Sequence, residues 1–331
     1  MADNSKKRIV TIGGGTGTFV SLSGLKKYAD TIDITAIVSV ADDGGSTGRL
    51  MDQFGKLPVG DVRMALAALA AGDTEPNIVR ELMLYRFDRG EEGLKGHNLG
   101  NLFLVALTDM FGSEARAIEE ATKILNIRGR VVPVSETHAR LVAQYADGST
   151  THGEAAIDKH PGEQTRGVIT DIFLDSSTPA YTSALSAINE ADLVLLGPGD
   201  LYTSIIPNFL FEGVSEALQK TDAQVAYVAN LMTKCGQTDD MSVTDHVDTL
   251  TRYTGRKPDT VVINNAEPAK DVIAAYKKAR ECLVHDDYTE HALRIPMLAP
   301  APKQHATDAV RRSLVRHDSH TLAKAVISLL L

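Results

Sequence analysis

The sequence is poor in cysteine, and what it has is scattered. Cys235 and Cys282 are the only two, 47 positions apart. That leaves neither a disulfide framework nor the spacing of a thiolate metal site. Long apolar runs are also lacking. The longest, such as "ADLVLLG" and "AVISLLL", are far too short to cross a bilayer. The opening "MADNSKKRIV" has no apolar stretch of the kind a secretory leader carries. A cytoplasmic protein without membrane insertion is therefore expected. Basic residues are outnumbered: 34 Lys and Arg face 43 Asp and Glu, for a formal net charge of −9. Neutralising a nucleic-acid backbone needs clustered Lys and Arg, so nucleic acid is not an expected partner. An acidic ligand held by a local loop is still compatible with that balance. Internal repeats and low-complexity tracts are absent as well.

What is present is a rhythm of strand, loop and helix. "KRIVTIGG" reads as a buried strand and "GTFVSLSGLKKYA" as the helix after it. "DITAIVSVAD" alternates like a second strand, and in "GDVRMALAALAA" the apolar Val62, Leu66 and Leu69 recur at helical spacing. A mostly helical stretch over 75–128 follows. Residues 130–175 are different: short alternating runs broken by "DG" turns, read as a small β-rich excursion. Strands and helices then resume, with "ADLVLLGPG", "AQVAYVANL" and "DTVVINN" as strands and "SIIPNFLFEGVSEAL" as mostly helix. The pattern predicts one α/β domain over 1–331, with a Rossmann-like, doubly wound, mostly parallel sheet. In such sheets ligands lie beyond the carboxyl ends of the strands, at the point where strand order reverses. The informative residues should follow strands.

They do. The first strand runs into Gly13, Gly14, Gly15, Thr16 and Gly17. Glycines allow close backbone approach, and a helix N-terminus behind them favours an anion. The stretch fits neither G-x-G-x-x-G nor a Walker loop, since no "GK[ST]" follows; a ligand-free tight turn is the bland alternative. The second strand ends in "ADDGGSTGRL". Its adjacent Asp42 and Asp43 suit Mg²⁺ shared with a substrate phosphate, and Arg49 suits a bidentate phosphate clamp; the alternative is a helix cap and a solvated turn. Asp61, in "PVGDVRMAL", is by position a helix N-cap. "GHNLGNLFL" sets Asn98 and Asn101 at another helix start. Later, "LLGPGDLYTSIIPN" carries Gly197, Gly199, Tyr202, Thr203 and Ser204, a second glycine loop with hydroxyl donors. Two such loops point to one elongated phosphate-bearing ligand, with Tyr202 as a stacking or hydrogen-bonding candidate. Asn230 and Thr233 follow a further strand. No Ser/His/Asp order presents itself, and Cys235 beside Lys234 reads as an ordinary thiol.

Taken in order, "IGGGTGTFVSLSGLK", "VSVADDGGSTGRL", "PVGDVRMALAALA", "GHNLGNLFL", "LGPGDLYTSIIPN" and "TDHV" resemble the CofD-like superfamily over nearly the whole chain. Within it, the sequence is most similar to the YvcK-type gluconeogenesis-factor branch. The other branch comprises 2-phospho-L-lactate transferases, which use a guanine nucleotide-activated donor and Mg²⁺ on a Rossmann-like core. The resemblance implies that both glycine loops face a nucleotide-bearing ligand. It implies that Asp42, Asp43 and Asp61 surround a metal and an acceptor. The gluconeogenesis-factor branch is associated with UDP-sugars, notably UDP-N-acetylglucosamine, and the implicated tyrosine and arginine resemble Tyr276 in "VIAAYKK" and Arg316 in "VRHDSHTL". Ser319 falls where some members carry a phosphorylatable threonine, and it also suits a helix N-cap. Homodimers are implied too. The chain departs from the branch at Val59, in "GHNLGN", and in "LMTKCGQTDDMS".

Two functions follow as expectations. One is a regulator that binds a nucleotide-sugar of the UDP-N-acetylglucosamine type, with a regulatory protein partner, linking carbon metabolism in gluconeogenic growth to cell-envelope synthesis and cell shape. The other is a Mg²⁺-dependent transferase of a phosphorylated group. An NAD-binding Rossmann protein is disfavoured by the broken fingerprint and by the acid pair.

Overall fold

The computed structural model describes residues 6–54, 58–72, 77–88, 93–159, 167–300 and 314–330. The first half runs β1 (Lys7–Gly13), α1 (Gly15–Leu25), β2 (Ile32–Val38), α2 (Gly45–Phe54), α3 (Gly60–Leu69), α4 (Ile78–Leu84), α5 (Leu99–Phe111) and α6 (Glu114–Ile124). Then come β3 (Arg130–Pro133), β4 (Leu141–Tyr145), β5 (Thr150–His152), α7 (Glu154–Asp158), β6 (Ile169–Leu174) and α8 (Thr182–Asn189). The rest is β7 (Leu193–Leu196), α9 (Val214–Lys220), β8 (Gln224–Val228), α10 (Val243–Thr254), β9 (Thr260–Asn264), α11 (Lys270–Lys278), β10 (Ala292–Ile295) and α12 (Ser319–Ser328).

Seven of the strands form one sheet in the order β10-β9-β8-β7-β1-β2-β3, and every pairing in it is parallel. Its strands are apolar on both faces, as a doubly covered parallel sheet requires. In β7, Leu193 and Leu195 enter one core while Val194 and Leu196 enter the other. In β8, Ala226 and Val228 alternate with Val225 and Tyr227 in the same way. One face is covered by Leu22 of α1, Leu66 of α3, Leu104 of α5, Ile118 of α6 and Leu322 of α12. The other is covered by Ile188 of α8, Leu218 of α9 and Leu250 of α10.

A separate antiparallel sheet, β5-β4-β6, packs Leu141 and Ile172 into this second core. The β-rich excursion therefore divides. Arg130–Pro133 is the edge strand of the main sheet, paired with β2, and only the later strands form the small sheet. The stretch expected to be mostly helix after β7 is also more irregular. It opens with a π turn over Leu201–Ile205 and a 3₁₀ turn over Ile206–Leu210 before α9.

Strand order reverses between β1 and β7. Each is a neighbour of the other, but the chain runs outward from β1 through β2 to β3 and from β7 through β8 to β10. Both glycine loops leave this reversal point. No helix among the described residues is long and apolar enough to cross a membrane.

Candidate ligand-binding site

The two glycine loops touch. A Cβ on Gly17 would stand 2.1 Å from the Pro198 carbonyl oxygen, and one on Gly199 3.6 Å from that of Gly14. A side chain at Gly17 is excluded because the first turn of α1 packs directly on the Pro198–Gly199 backbone. Gly15 adopts φ +62° and Gly197 φ +71°, conformations that favour glycine, and the Gly197–Pro198 peptide is cis. Gly14 precedes α1 and offers no side-chain cap. After β7, the amides of Ser204 and Ile205 both return to the Asp200 carbonyl, at 2.9 and 3.1 Å, which makes the π turn. Such turns recur at functional sites.

The loops open into a cavity of about 540 Å³. Gly14, Gly15, Thr16, Gly17, Gly199, Ser204, Asn230, Thr233, Tyr276 and Arg316 all line it, so the structure brings together residues spread from one end of the sequence to the other. Asn230 braces the second loop: its amide donates to the Gly199 carbonyl at 2.8 Å and its oxygen accepts from the Tyr227 hydroxyl at 2.9 Å. Thr233 ties the wall to Cys282 by two backbone-directed bonds. The Tyr276 hydroxyl accepts the amides of Leu314 and Val315, at 3.0 and 3.2 Å, and so holds the strip that carries Arg316.

Other expected residues sit elsewhere. Asn98 caps α5, accepting from the amides of Gly100 and Asn101. Asn101 accepts from Arg63 Nε at 2.8 Å and donates towards Ser46 and Thr47. Arg49 is exposed and donates to the Lys95 carbonyl. Tyr202 is 4 % exposed and packs in the core, so it stacks on nothing in the cavity. Thr203 is buried. Gly13 and Gly197 shape the loops from beneath without lining the cavity. Ser319 is not the cap of α12; Asp318 is, accepting the Thr321 amide at 2.8 Å.

The aspartates divide too. Asp61 is not the N-cap of α3, a position taken by Val59. Its carboxylate instead accepts the Gly15 amide at 2.8 Å, under the first glycine loop. Asp43 accepts the Ala155 amide at 2.8 Å and so serves the start of α7. Asp42 accepts from Gly44 and shares a hydrogen bond with Glu154. Burial, reinforced by the Asp42 charge, pushes Asp61 up to about 7. Burial and the charges of Asp42 and Asp61 push Glu154 well above the usual carboxylate range. Crowding and burial thus favour the protonated form of both acids. Among the described residues no three His, Cys, Asp or Glu side chains are spaced to hold a metal ion.

Lys234, Glu154, Asp158 and Asp200 complete the polar wall. Lys234 Nζ bonds to both Asp158 and Asp200. Burial works against its charge, but Asp200 and Asp158 together hold the ammonium above its usual pKa. Of these four, Lys234 carries no local sequence signal as a site residue, and Asp200 follows the second glycine loop. Glu154 and Asp158, four apart on α7, share one helix face, which spacing could have suggested. Burial raises the Cys235 thiol, consistent with an inert thiol.

A family model described as 2-phospho-L-lactate transferase CofD matches residues 9–300. The chain belongs to the CofD family. Its curated relatives include gluconeogenesis factors. A relative of that group from Thermotoga maritima is 40 % identical over 319 residues, 96 % of this chain and 98 % of its own length. The gluconeogenesis factor of Bacillus subtilis is 37 % identical over 326 residues, covering 98 % of each chain. A crystal structure of a UPF0052-family protein from Bacillus halodurans superposes with a TM-score of 0.86 at 34 % identity, covering 97 % of this chain and all of that one. This CofD-family chain therefore shares its seven-stranded architecture with proteins of that group.

Proposed function

We propose that the cavity binds a nucleotide-sugar of the UDP-N-acetylglucosamine type. In this reading the protein is a regulator that links carbon metabolism in gluconeogenic growth to cell-envelope synthesis and cell shape. It acts in the cytoplasm as a homodimer and passes the ligand state to a protein partner. The observation that carries the reading is the meeting of two glycine loops at the β1/β7 reversal, in one cavity with Tyr276 and Arg316. Backbone amides at a helix start suit a diphosphate, and about 540 Å³ suits a ligand with a group on either side of it. The gluconeogenesis-factor relatives support the metabolic setting.

A second reading, a Mg²⁺-dependent transferase of a phosphorylated group, is favoured by the carboxylates at the wall. Asp42, Asp43 and Asp61 do not form one donor set, because Asp43 serves α7. A Mg²⁺ accompanying ligand phosphates needs only one or two carboxylates, and Glu154, which lines the cavity, would supply one. Such an ion would neutralise phosphate charge.

Calorimetric titration with UDP-N-acetylglucosamine, GDP and NAD, each with and without Mg²⁺, separates the readings. Binding of the UDP-sugar that weakens at least tenfold in Arg316→Ala is expected. No heat with any UDP-sugar would sink the regulator reading, and turnover of a nucleotide donor would favour the transferase.

A further inference from the structure

Large apolar side chains left in solvent are few among the described residues, and half of them gather in one place. Ile78, Leu82, Tyr85 and Leu94 are each between 48 and 60 % exposed. The first three recur at spacings of four and three, so they form one outward stripe on α4 and its C-cap. The inner face of the same helix is occupied as well. Met83 is buried there, and the Arg80 guanidinium lies over the Phe19 ring of α1 at 4.6 Å. A helix that is apolar on its packed side and again on its solvent side lacks a partner on the second. Exposed apolar patches of that kind mark interaction sites.

The stripe is held rigid. Tyr85 meets Phe87 edge-on, with ring centroids 5.1 Å apart. The Tyr85 carbonyl accepts the Leu99 amide at 2.9 Å, and the Phe87 backbone bonds to Gly96 and His97. The strip that carries Leu94 is thereby tied antiparallel to the end of α4. Side chains already fixed in place lose little freedom when they are covered.

Two properties point to a second copy of the same chain as the cover. The stripe reads nearly alike in both directions about Leu82, with Ile78 four positions before it and Tyr85 three after. Two such helices stacked antiparallel across a two-fold axis set Leu82 on Leu82 and Ile78 on Tyr85. That is the self-complementary contact a closed dimer needs. The rim is also balanced in charge. Among the described residues there, Glu81 and Asp88 are matched by Arg86 and Lys95, all exposed, whereas the whole chain carries −9. Copies that repel through their net charge meet most readily through a neutral face. An anionic lipid surface would ask instead for an excess of Lys and Arg.

Resting on the homodimer reading above, we propose that the outer face of α4, centred on Leu82, is the two-fold contact between copies of this chain.

The test is gel filtration with light scattering across a dilution series of the full chain. The wild type should run at the dimer mass. Leu82→Glu puts two like charges at the axis in place of an apolar contact and should weaken the dimer at least about a hundredfold. Leu82 is exposed in the single chain, so the far-ultraviolet circular dichroism of the variant should match the wild type. Leu82→Lys should also be monomeric, and an equimolar mixture of the two variants should recover the dimer mass, which a fold defect could not do. Ile124→Glu, on α6 and 60 % exposed, should stay dimeric. A Leu82→Glu chain as tightly dimeric as the wild type overturns the assignment of this face and leaves the homodimer standing, as does a mixture that stays monomeric. Wild-type protein that is monomeric at every concentration overturns the homodimer reading and this inference together, and the face would then belong to a different protein.

Discussion

At the scale of single residues, the first glycine loop rests on an acid that prefers to be neutral. Asp61 titrates near 3.8 when unperturbed and at about 7 in the fold. Between those values the native state holds a proton that the unfolded chain has lost. The stability this contributes is full below about pH 4 and is lost as the pH rises through about 7. Asp61→Asn stays neutral and can still accept the Gly15 amide. Denaturant midpoints at about pH 5 and about pH 8 should therefore draw closer together in the variant. Glu154 adds a slope of the same sign, so the gap narrows without closing. A gap as wide as in the wild type would mean that Asp61 is not the titrating group. Residues of this kind are hard to read from sequence. The glycines announce themselves because a run of them has few other uses. Lys234 matters only through what the fold sets opposite it, Asp158 and Asp200.

At the scale of elements, α12 is fastened to α1 through a glycine. A Cβ on Gly24 would meet the Ser319 carbonyl oxygen at 1.9 Å, so the two helices approach at backbone distance. Arg316 and His317 lie immediately before α12 and share its position. Gly24→Ala should force α12 outward, at a cost of about 1–3 kcal/mol in stability. It should also weaken nucleotide binding although no lining residue is changed. Gly93→Ala, which meets nothing within 4 Å, is the control. If Gly24→Ala binds normally by calorimetry, α12 does not position the strip. Periodicity made the helices and the parallel strands legible, because apolar residues on both faces of β7 and β8 have no other explanation. It could not show that Arg130–Pro133 would join the main sheet, since an edge strand and a hairpin strand share the same alternation. Nor could it show the π turn after β7, whose cause is the convergence of two amides on the Asp200 carbonyl.

At the scale of the whole molecule, the site belongs to neither half of the sheet. One loop comes from β1, the other from β7, and the remaining wall from beyond β8 and α11. Ligand at about a hundred times its Kd should add about 2.7 kcal/mol and raise a single melting transition by roughly 5 °C. Calorimetry in which only a part of the transition moves would show that the halves unfold separately. The strand-order reversal was expected from the α/β rhythm alone, and with it the place of the glycine loops. The depth of the cavity was not, because it depends on a strip about 300 positions away from the first loop.

That separation bears on synthesis. Gly14 emerges from the ribosome about 300 residues before His317, and both line one cavity. A nascent chain that has made the first loop, or even both, still lacks the strip with Arg316 and His317. A ligand that needs this strip, as proposed above, would take hold only once that segment has docked. Occupancy would then count molecules in which both glycine loops and this strip have come together.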